Sequence, residues 1–356
     1  MADRDVDVCL LSVGPDLPWL TGYEAMPLER LTMLVVPRDG EAVLVVPALE
    51  VPRVVPRDDV FRIRSWGETE DPVAIVAGLM GSCHTAAIGD RTWARFLVEL
   101  HRARPEVTFT TTAPVIGPLR AVKDPHEIAS LRRAAHAVDR IAAQLQGGEI
   151  ALVGRTEAQV SAELSRRLLD EGHQRVNFAI VAAGPNSASP HHEPGDRVIG
   201  RGEVVLCDFG GTMFDDWGVG YCSDITRCVV TAGPSPHQSE VYEVLHAAQA
   251  VGVAAGGPGV ACEQVDRATR SVIDDAGFGA HFMHRTGHGI GVEEHEDPYI
   301  VEGNSEPLRV GNAYSVEPGI YLHGEFGFRL EDIVVVTDDG AESLTDADRR
   351  LVVVDA

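Results

Sequence analysis

Residues 124–148 read DPHEIASLRRAAHAVDRIAAQLQGG. Asp124 can cap a helix, Pro125 suits the first turn, and Glu127 stands where a capping box needs it. Ile128, Leu131, Ala135, Val138, Ala142 and Leu145 then recur at helical spacing until Gly147-Gly148 ends the run. A second helix is predicted from Thr156 to Glu171, with Gly172 as its C-terminal signal. The same plan returns downstream. Pro236-His237 opens a helix carrying Val241, Val244, Leu245, Ala248 and Val251, Gly256-Gly257 ends it, and another helix runs from near Glu263 to just before Gly277. The offsets are 111, 109 and 105 residues (236 − 125, 256 − 147 and 277 − 172). Two helix pairs at a nearly constant offset indicate an internal duplication. β-rich segments follow each pair, at 176–183, 203–209 and 224–231, then at 282–292, 313–322 and 328–337. The repeated unit predicts a pseudo-twofold sheet covered by helices, with a cleft between its halves.

The chain upstream has a different texture. Residues 5–13 read as a buried strand, LTMLVVPRDGEAVLVV at 31–46 as a hairpin around Arg38-Asp39-Gly40, and Thr92 to about His101 as a helix. This α/β portion ends near Gly117-Pro118. With 356 residues the chain exceeds one compact core. The expected division is an α/β domain at 1–120 and a second domain at 121–356. Lys plus Arg number 30 against 54 Asp plus Glu, a net charge of -24, which argues against nucleic acid and anionic membrane as partners. The acidic start MADRDVDVCLLSV does not read as a secretory signal, and no stretch approaches the ~18–20 apolar residues of a membrane span. Cys9, Cys83, Cys207, Cys222, Cys228 and Cys262 are scattered without a CxxC pair, as reduced thiols of a cytoplasmic protein would be.

Five segments carry the chemistry: VVLCDFGG with Asp208, YCSDITR with Asp224, HRTGHGIG with His288, YSVEPGIY with Glu317, and FRLEDIVVV with Glu331. Each alone is weak, because a lone strand acid is more often an ion-pair or turn residue. Together they repeat one anomaly, four acids and a histidine that interrupt or border apolar strands. If those strands share a sheet, four carboxylates converge and repel one another unless cations neutralise them. Two divalent ions balance that charge. Carboxylates with one imidazole suit Mn²⁺, with Co²⁺ or Zn²⁺ as alternatives, and paired ions are a known hydrolytic arrangement.

The ordered set resembles the pita-bread metallopeptidases, specifically Xaa-Pro dipeptidase (prolidase) and aminopeptidase P. RAVKDPHEIASLRRA resembles the segment that opens their catalytic domain, and LPWLTGYEA resembles a motif of their N-terminal domain. The resemblance implies a creatinase-like N-terminal domain, a pita-bread catalytic domain, a homodimer, and hydrolysis of the Xaa-Pro bond of small peptides by a hydroxide bridging two metal ions. By resemblance, Asp208, Asp224, His288, Glu317 and Glu331 are the metal ligands, with Glu317 also the proton shuttle. His191, 17 positions before Asp208, and His295, seven after His288, match substrate-facing histidines that stabilise the oxyanion. His192 is a neighbour that could exchange roles with His191.

The sequence departs from the family in two places. The Asp208–Asp224 spacing of 16 is longer than usual, and the insert TMFDDWGVGYC is either a lid or specificity loop or a neutral insertion. Tyr299 stands where many prolidases have an arginine for the dipeptide carboxylate, so Arg329 or Arg285 is the expected substitute. Phe178, Tyr221 and Trp217 are the expected apolar wall for proline, and Asp215-Asp216 could hold the substrate amino group. Xaa-Pro dipeptides are the expected substrates, with aminopeptidase P action on longer peptides as the alternative. A creatinase-like hydrolase, a methionine aminopeptidase and a non-catalytic member of the fold are the further alternatives.

Overall fold

A computed structural model describes residues 1–355, and the chain divides into two compact units. The first comprises Met1–Arg120 with Phe214–Gly220, and the second Ala121–Met213 with Tyr221 onward. No helix among the described residues is long and apolar enough to cross a membrane.

The first unit holds strands β1 (Val8–Leu11), β2 (Met33–Pro37), β3 (Ala42–Pro47), β4 (Phe61–Trp66), β5 (Thr85–Ile88) and β6 (Thr108–Thr111) in the order β4-β3-β2-β1-β5-β6. The predicted hairpin is present, with β2 antiparallel to both β1 and β3. Helices α1 (Asp16–Thr21), α2 (Pro72–Leu79), α3 (Ala94–Ala103) and α4 (Ala113–Arg120) belong to the same unit. Val8 and Leu10 of β1 join a core with Val76, Phe96 and Leu100, whereas Leu11 joins another with Leu17, Leu44 and Ile116. Burial on both faces explains why this strand reads as a continuous apolar run. The tip of the insert also belongs here. Asp215 Oδ1 accepts the N–H groups of Trp217 at 2.9 Å and Val219 at 2.8 Å, which closes a tight turn. That turn lies backbone to backbone against Gly22, and a Cβ on Gly22 or Gly218 would collide with the other's chain.

The second unit opens with α5 (Pro125–Gln146) and α6 (Glu157–Asp170). The capping box at Asp124 forms as read, its side chain accepting from His126 and Glu127 while Glu127 accepts from Asp124 N–H. Strands β7 (Arg175–Ala183), β8 (Val204–Phe214), β9 (Gly220–Cys222) and β10 (Ile225–Thr231) follow. Then come α7 (Pro236–Ala255), α8 (Cys262–Asp275), β11 (Gly287–Gly289), β12 (Glu296–Ile300), β13 (Ala313–Val316), β14 (Gly319–Leu322), β15 (Phe326–Arg329), β16 (Asp332–Thr337), β17 (Gly340–Ser343) and β18 (Val352–Val354). Each half therefore consists of a helix pair and a sheet whose central order is sequential and antiparallel: β7-β8-β10 in one, β11-β13-β16 in the other.

Three predicted strands are interrupted. Of 282–292 only Gly287–Gly289 is regular, and there the neighbouring chains pass so close that a Cβ at Gly287 would collide with Ser315 and one at Gly289 with Asp297. Segments 313–322 and 328–337 each break into two strands, at Glu317-Pro318 and at Leu330-Glu331. Both breaks carry an acid singled out above.

Candidate metal centre and active site

Side-chain alternation places the acids. On β8, Val205, Cys207 and Phe209 enter the core beneath α5 and α6, while Val204 and Leu206 enter the core shared with Leu245 and Phe328. Asp208 continues the second row, since residues two apart share a face. Cys228 and Val230 of β10 occupy that row too, followed by Thr226, which pairs with Asp208 in the ladder, and by Asp224. In the other half, Val316 pairs with Asp332, so Glu317 and Glu331 stand next along the two chains. Glu317 lies 109 residues after Asp208 (317 − 208) and Glu331 lies 107 after Asp224 (331 − 224), the displacement seen between the helix pairs. The four acids are thus two duplicated positions that face one another.

Asp208, Asp224, His288, Glu317 and Glu331 all line one cavity of about 800 Å³. His288 Nε2 lies 3.2 Å from Glu317 Oε1 and 3.8 Å from Asp224 Oδ2. One ligand atom each from Asp224, His288 and Glu331 falls within 4.8 Å of the others. Their orientation is fixed from behind. His288 Nδ1 lies 3.1 Å from Gly289 O, which holds the ring so that Nε2 faces the carboxylates. Ser315 Oγ donates to Glu317 Oε1 at 3.0 Å and accepts from His288 N–H at 3.0 Å. Thr226 Oγ1 donates to Glu331 Oε2 at 2.7 Å, and Arg329 Nη2 to Asp208 Oδ2 at 2.6 Å.

The electrostatics of these groups are those of an anionic cage. Burial, then repulsion from Glu331, Asp208 and Glu317, pushes the Asp224 carboxyl well above the usual carboxylate range. Burial and the charges of Glu317 and Asp208 do the same to Glu331, and Asp208 is raised chiefly by burial. Burial acts upward on Glu317 most strongly of any single cause, but the hydrogen bond and charge of His288 together with the charges of His284 and Arg329 outweigh it and hold this carboxyl down at about 2. Asp208 Oδ1 and Asp224 Oδ1 are buried with no hydrogen-bond partner among the described residues. Buried, unpartnered carboxylate oxygens are costly, and cations relieve both that cost and the mutual repulsion. The donor set therefore fits divalent metal ions.

The cavity wall sorts the remaining expected residues. His191 lines it, whereas His192 does not, its Nε2 held 2.8 Å from the buried carboxylate of Glu157. His295 also lines it, with its ring centroid 3.9 Å from that of His288. Burial first, then the charge of His288, pushes His295 down to about 4, which leaves its imidazole neutral at physiological pH. Arg285 and Arg329 are both present, in different states. Arg329 is buried, and its guanidinium donates to Asp208, Thr226 Oγ1, Tyr321 Oη and Pro190 O. Arg285 lies with its guanidinium carbon 4.4 Å from the Tyr299 ring centroid and Nη2 3.5 Å from His295 Nδ1.

Tyr221 and Trp217 do not line this cavity. Tyr221 is buried with its hydroxyl donating to Glu127 Oε1 at 3.3 Å, and Trp217 is 64% exposed on the turn packed against Gly22. Asp215 holds that turn closed. Phe178 does line the cavity, as expected, and Ile180 and Met283 are its apolar neighbours on the wall. His284 was missed. Its Nε2 lies 2.9 Å from Tyr321 Oη, and its offset of four from His288 within HRTGHGIG is the sequence signal for it.

A two-domain α/β scaffold that gathers four carboxylates and an imidazole around one cavity defines a metal-dependent hydrolase. The family model described as metallopeptidase family M24 matches residues 129–338, and that of the creatinase/prolidase N-terminal domain matches residues 1–122. The chain belongs to metallopeptidase family M24, whose members use divalent metal ions. It is 40% identical to the probable dipeptidase PepE of Mycobacterium tuberculosis, over 99% of this chain and 93% of that protein. It is 35% identical to the Xaa-Pro dipeptidase of Lactobacillus helveticus, over 99% and 96%. The crystal structure of a prolidase from Thermococcus sibiricus superposes with a TM-score of 0.90 at 34% identity, covering 99% of this chain and 95% of that one.

Proposed function

We propose that this metallopeptidase hydrolyses the Xaa-Pro bond of dipeptides. The observation that carries this reading is the Arg285–Tyr299 stack beside the carboxylate cage: a guanidinium in the cavity can pair with a free C-terminal carboxylate. Asp208, Asp224, His288, Glu317 and Glu331 would hold two divalent cations, Mn²⁺ in preference to Co²⁺ or Zn²⁺. Bound there, such ions supply Lewis acidity toward the scissile carbonyl and lower the pKa of water.

The protein groups divide the remaining work. Glu317 is held ionised, so it can accept the proton of the attacking water and return it to the proline nitrogen as the C–N bond breaks. His295 accepts from Arg285 at Nδ1, which leaves Nε2–H free to donate to the developing oxyanion, and His191 on the same cavity wall is a second donor. Phe178 and Ile180 provide an apolar surface for the pyrrolidine ring, which has no N–H to satisfy. Arg329, already engaged with four partners, supports Asp208, and Arg285 is the carboxylate anchor. The family resemblance implies a cytoplasmic homodimer, which size-exclusion chromatography with light scattering tests.

The deciding experiment compares Ala-Pro, Ala-Pro-amide and Ala-Pro-Ala with metal-reconstituted enzyme. The dipeptide acid is expected to have the highest kcat/KM. A tripeptide or amide that matches it makes the enzyme an aminopeptidase P acting on longer peptides.

A further inference from the structure

We infer that Asp266 and Arg270, one turn apart on α8, are positioning residues for substrate selection, because they clamp the segment that presents Arg285. The inference rests on the reading of Arg285 as carboxylate anchor. Residues 282–286 form no strand, and of them Thr286 is tied to neighbouring strand backbone, its N–H shared with Ile300 O at 3.0 Å. Three consecutive members, Met283, His284 and Arg285, nevertheless line the cavity. Their peptide groups are held from α8. Arg270 Nη1 donates to Phe282 O at 3.0 Å and Nη2 to His284 O at 2.8 Å, and the guanidinium lies 4.1 Å over the Phe282 ring. Asp266, fully buried, accepts Thr286 N–H at 3.0 Å and Thr286 Oγ1 at 2.7 Å on Oδ1. The two clamp residues lock each other through Nη2–Oδ1 at 3.1 Å and Nε–Oδ2 at 3.2 Å.

The clamp therefore grips the carbonyl before Arg285 and the N–H after it. With both flanking peptide groups fixed, the Arg285 Cα has one position, and the Tyr299 ring then sets where its guanidinium lies. Neither Asp266 nor Arg270 lines the cavity, so their influence on substrate passes through this segment. Thr286 O also accepts Glu317 N–H at 2.8 Å, so disturbing Asp266 reaches the acid cage, and Arg270 is the cleaner probe.

The test measures kcat/KM for Ala-Pro and Ala-Pro-amide in the Mn²⁺-loaded enzyme, in R270M, R285A and the R270M/R285A double variant. Small misplacement of a positioning group costs up to about 10²-fold, so R270M should lower the acid-to-amide ratio roughly tenfold, mainly through KM for Ala-Pro. Bound metal and activity on the amide should stay near wild type. The double variant should be no less selective than R285A alone, because two residues acting through one contact are not additive. R270K keeps a charge beside Asp266 but cannot reach both carbonyls, so it should fall between wild type and R270M, and it carries the test if R270M does not fold. A wild-type ratio in R270M or R270K alongside a collapsed ratio in R285A overturns the clamp. So does an equal loss on acid and amide, which marks a merely structural role. A wild-type ratio in R285A overturns the anchor reading and the clamp with it.

Discussion

Arg227 is fully buried at the junction of the two halves, and replacing it by methionine gives a sharp test of how the acid cage is held together. Its guanidinium donates to Asp348 O at 2.9 Å, Thr226 O at 3.0 Å, Glu331 O at 2.6 Å, Asp332 Oδ1 at 2.7 Å and Ala347 O at 2.9 Å. Two of these carbonyls belong to Glu331 itself and to the residue that hydrogen-bonds its carboxylate. Removing one partner of a buried ion pair costs about 3–5 kcal/mol. Asp332 keeps donors in Gln249, Thr345 and Arg349, which places Arg227→Met near the lower end, about 3 kcal/mol. With a urea m-value of about 3 kcal/mol/M, the unfolding midpoint should fall by about 1 M. The measurement belongs in chelator, because bound metal stabilises the native state by mass action and masks the loss. Arg227→Lys, with three donors for five acceptors, should fall between the two. A midpoint within about 0.3 M of wild type for Arg227→Met would show that the junction does not depend on this residue, since that shift is under 1 kcal/mol.

Asp224→Asn and Glu331→Gln should each abolish turnover and lower bound metal, with far-UV circular dichroism unchanged; wild-type metal content and turnover in both would remove them from the ligand set. Exhaustive chelation should inactivate the enzyme and Mn²⁺ or Co²⁺ should restore it, as followed by Ala-Pro hydrolysis with metal analysis. His295→Ala should lose roughly 10²–10³-fold in kcat, the range for one oxyanion donor, with metal retained; loss of metal would make it a ligand instead. Glu203 is held below its ordinary value of 4.5, first by the hydrogen bond from Arg197. A lowered folded pKa contributes stability that is present above the unfolded value and lost as pH falls through the folded one. Glu203→Gln should therefore flatten the acid side of the stability profile below pH 4.5, and an unchanged slope there would remove Glu203 as a contributor.

The helices of the second unit were legible because their signals are local. A capping box, an apolar row and a terminal glycine lie within one helix, and α5 through α8 appear near their predicted bounds. The strands were less so. Glu317-Pro318 and Leu330-Glu331 divide apolar runs that read as continuous, since hydrophobicity does not record where backbone must bend to aim an acid. The cage residues could be found because acids in apolar strands are anomalous. Of the apolar wall only Phe178 was found, because an aromatic near a motif in sequence need not face the same cavity. Tyr221 lies three residues before Asp224 yet is tied to Glu127. The roles of Asp266 and Arg270 were invisible because both look like ordinary polar residues of an amphipathic helix, and only the irregular course of 282–286 gives them a purpose.

The duplicated cage has a consequence for the order of events when the chain acquires its ions. Asp208 and Asp224 come from one half and His288, Glu317 and Glu331 from the other, so neither half alone offers more than three of the five donors. With these five as the ligands, ion capture would be a product of docking the halves, not a nucleus for folding either one. Loops of dozens of residues must close before the donors meet. A refolding chain should form its helix pairs while still indifferent to metal, then gain affinity abruptly as the seam closes. Metal in the medium would leave the early folding rate untouched and slow only the reopening of the finished molecule.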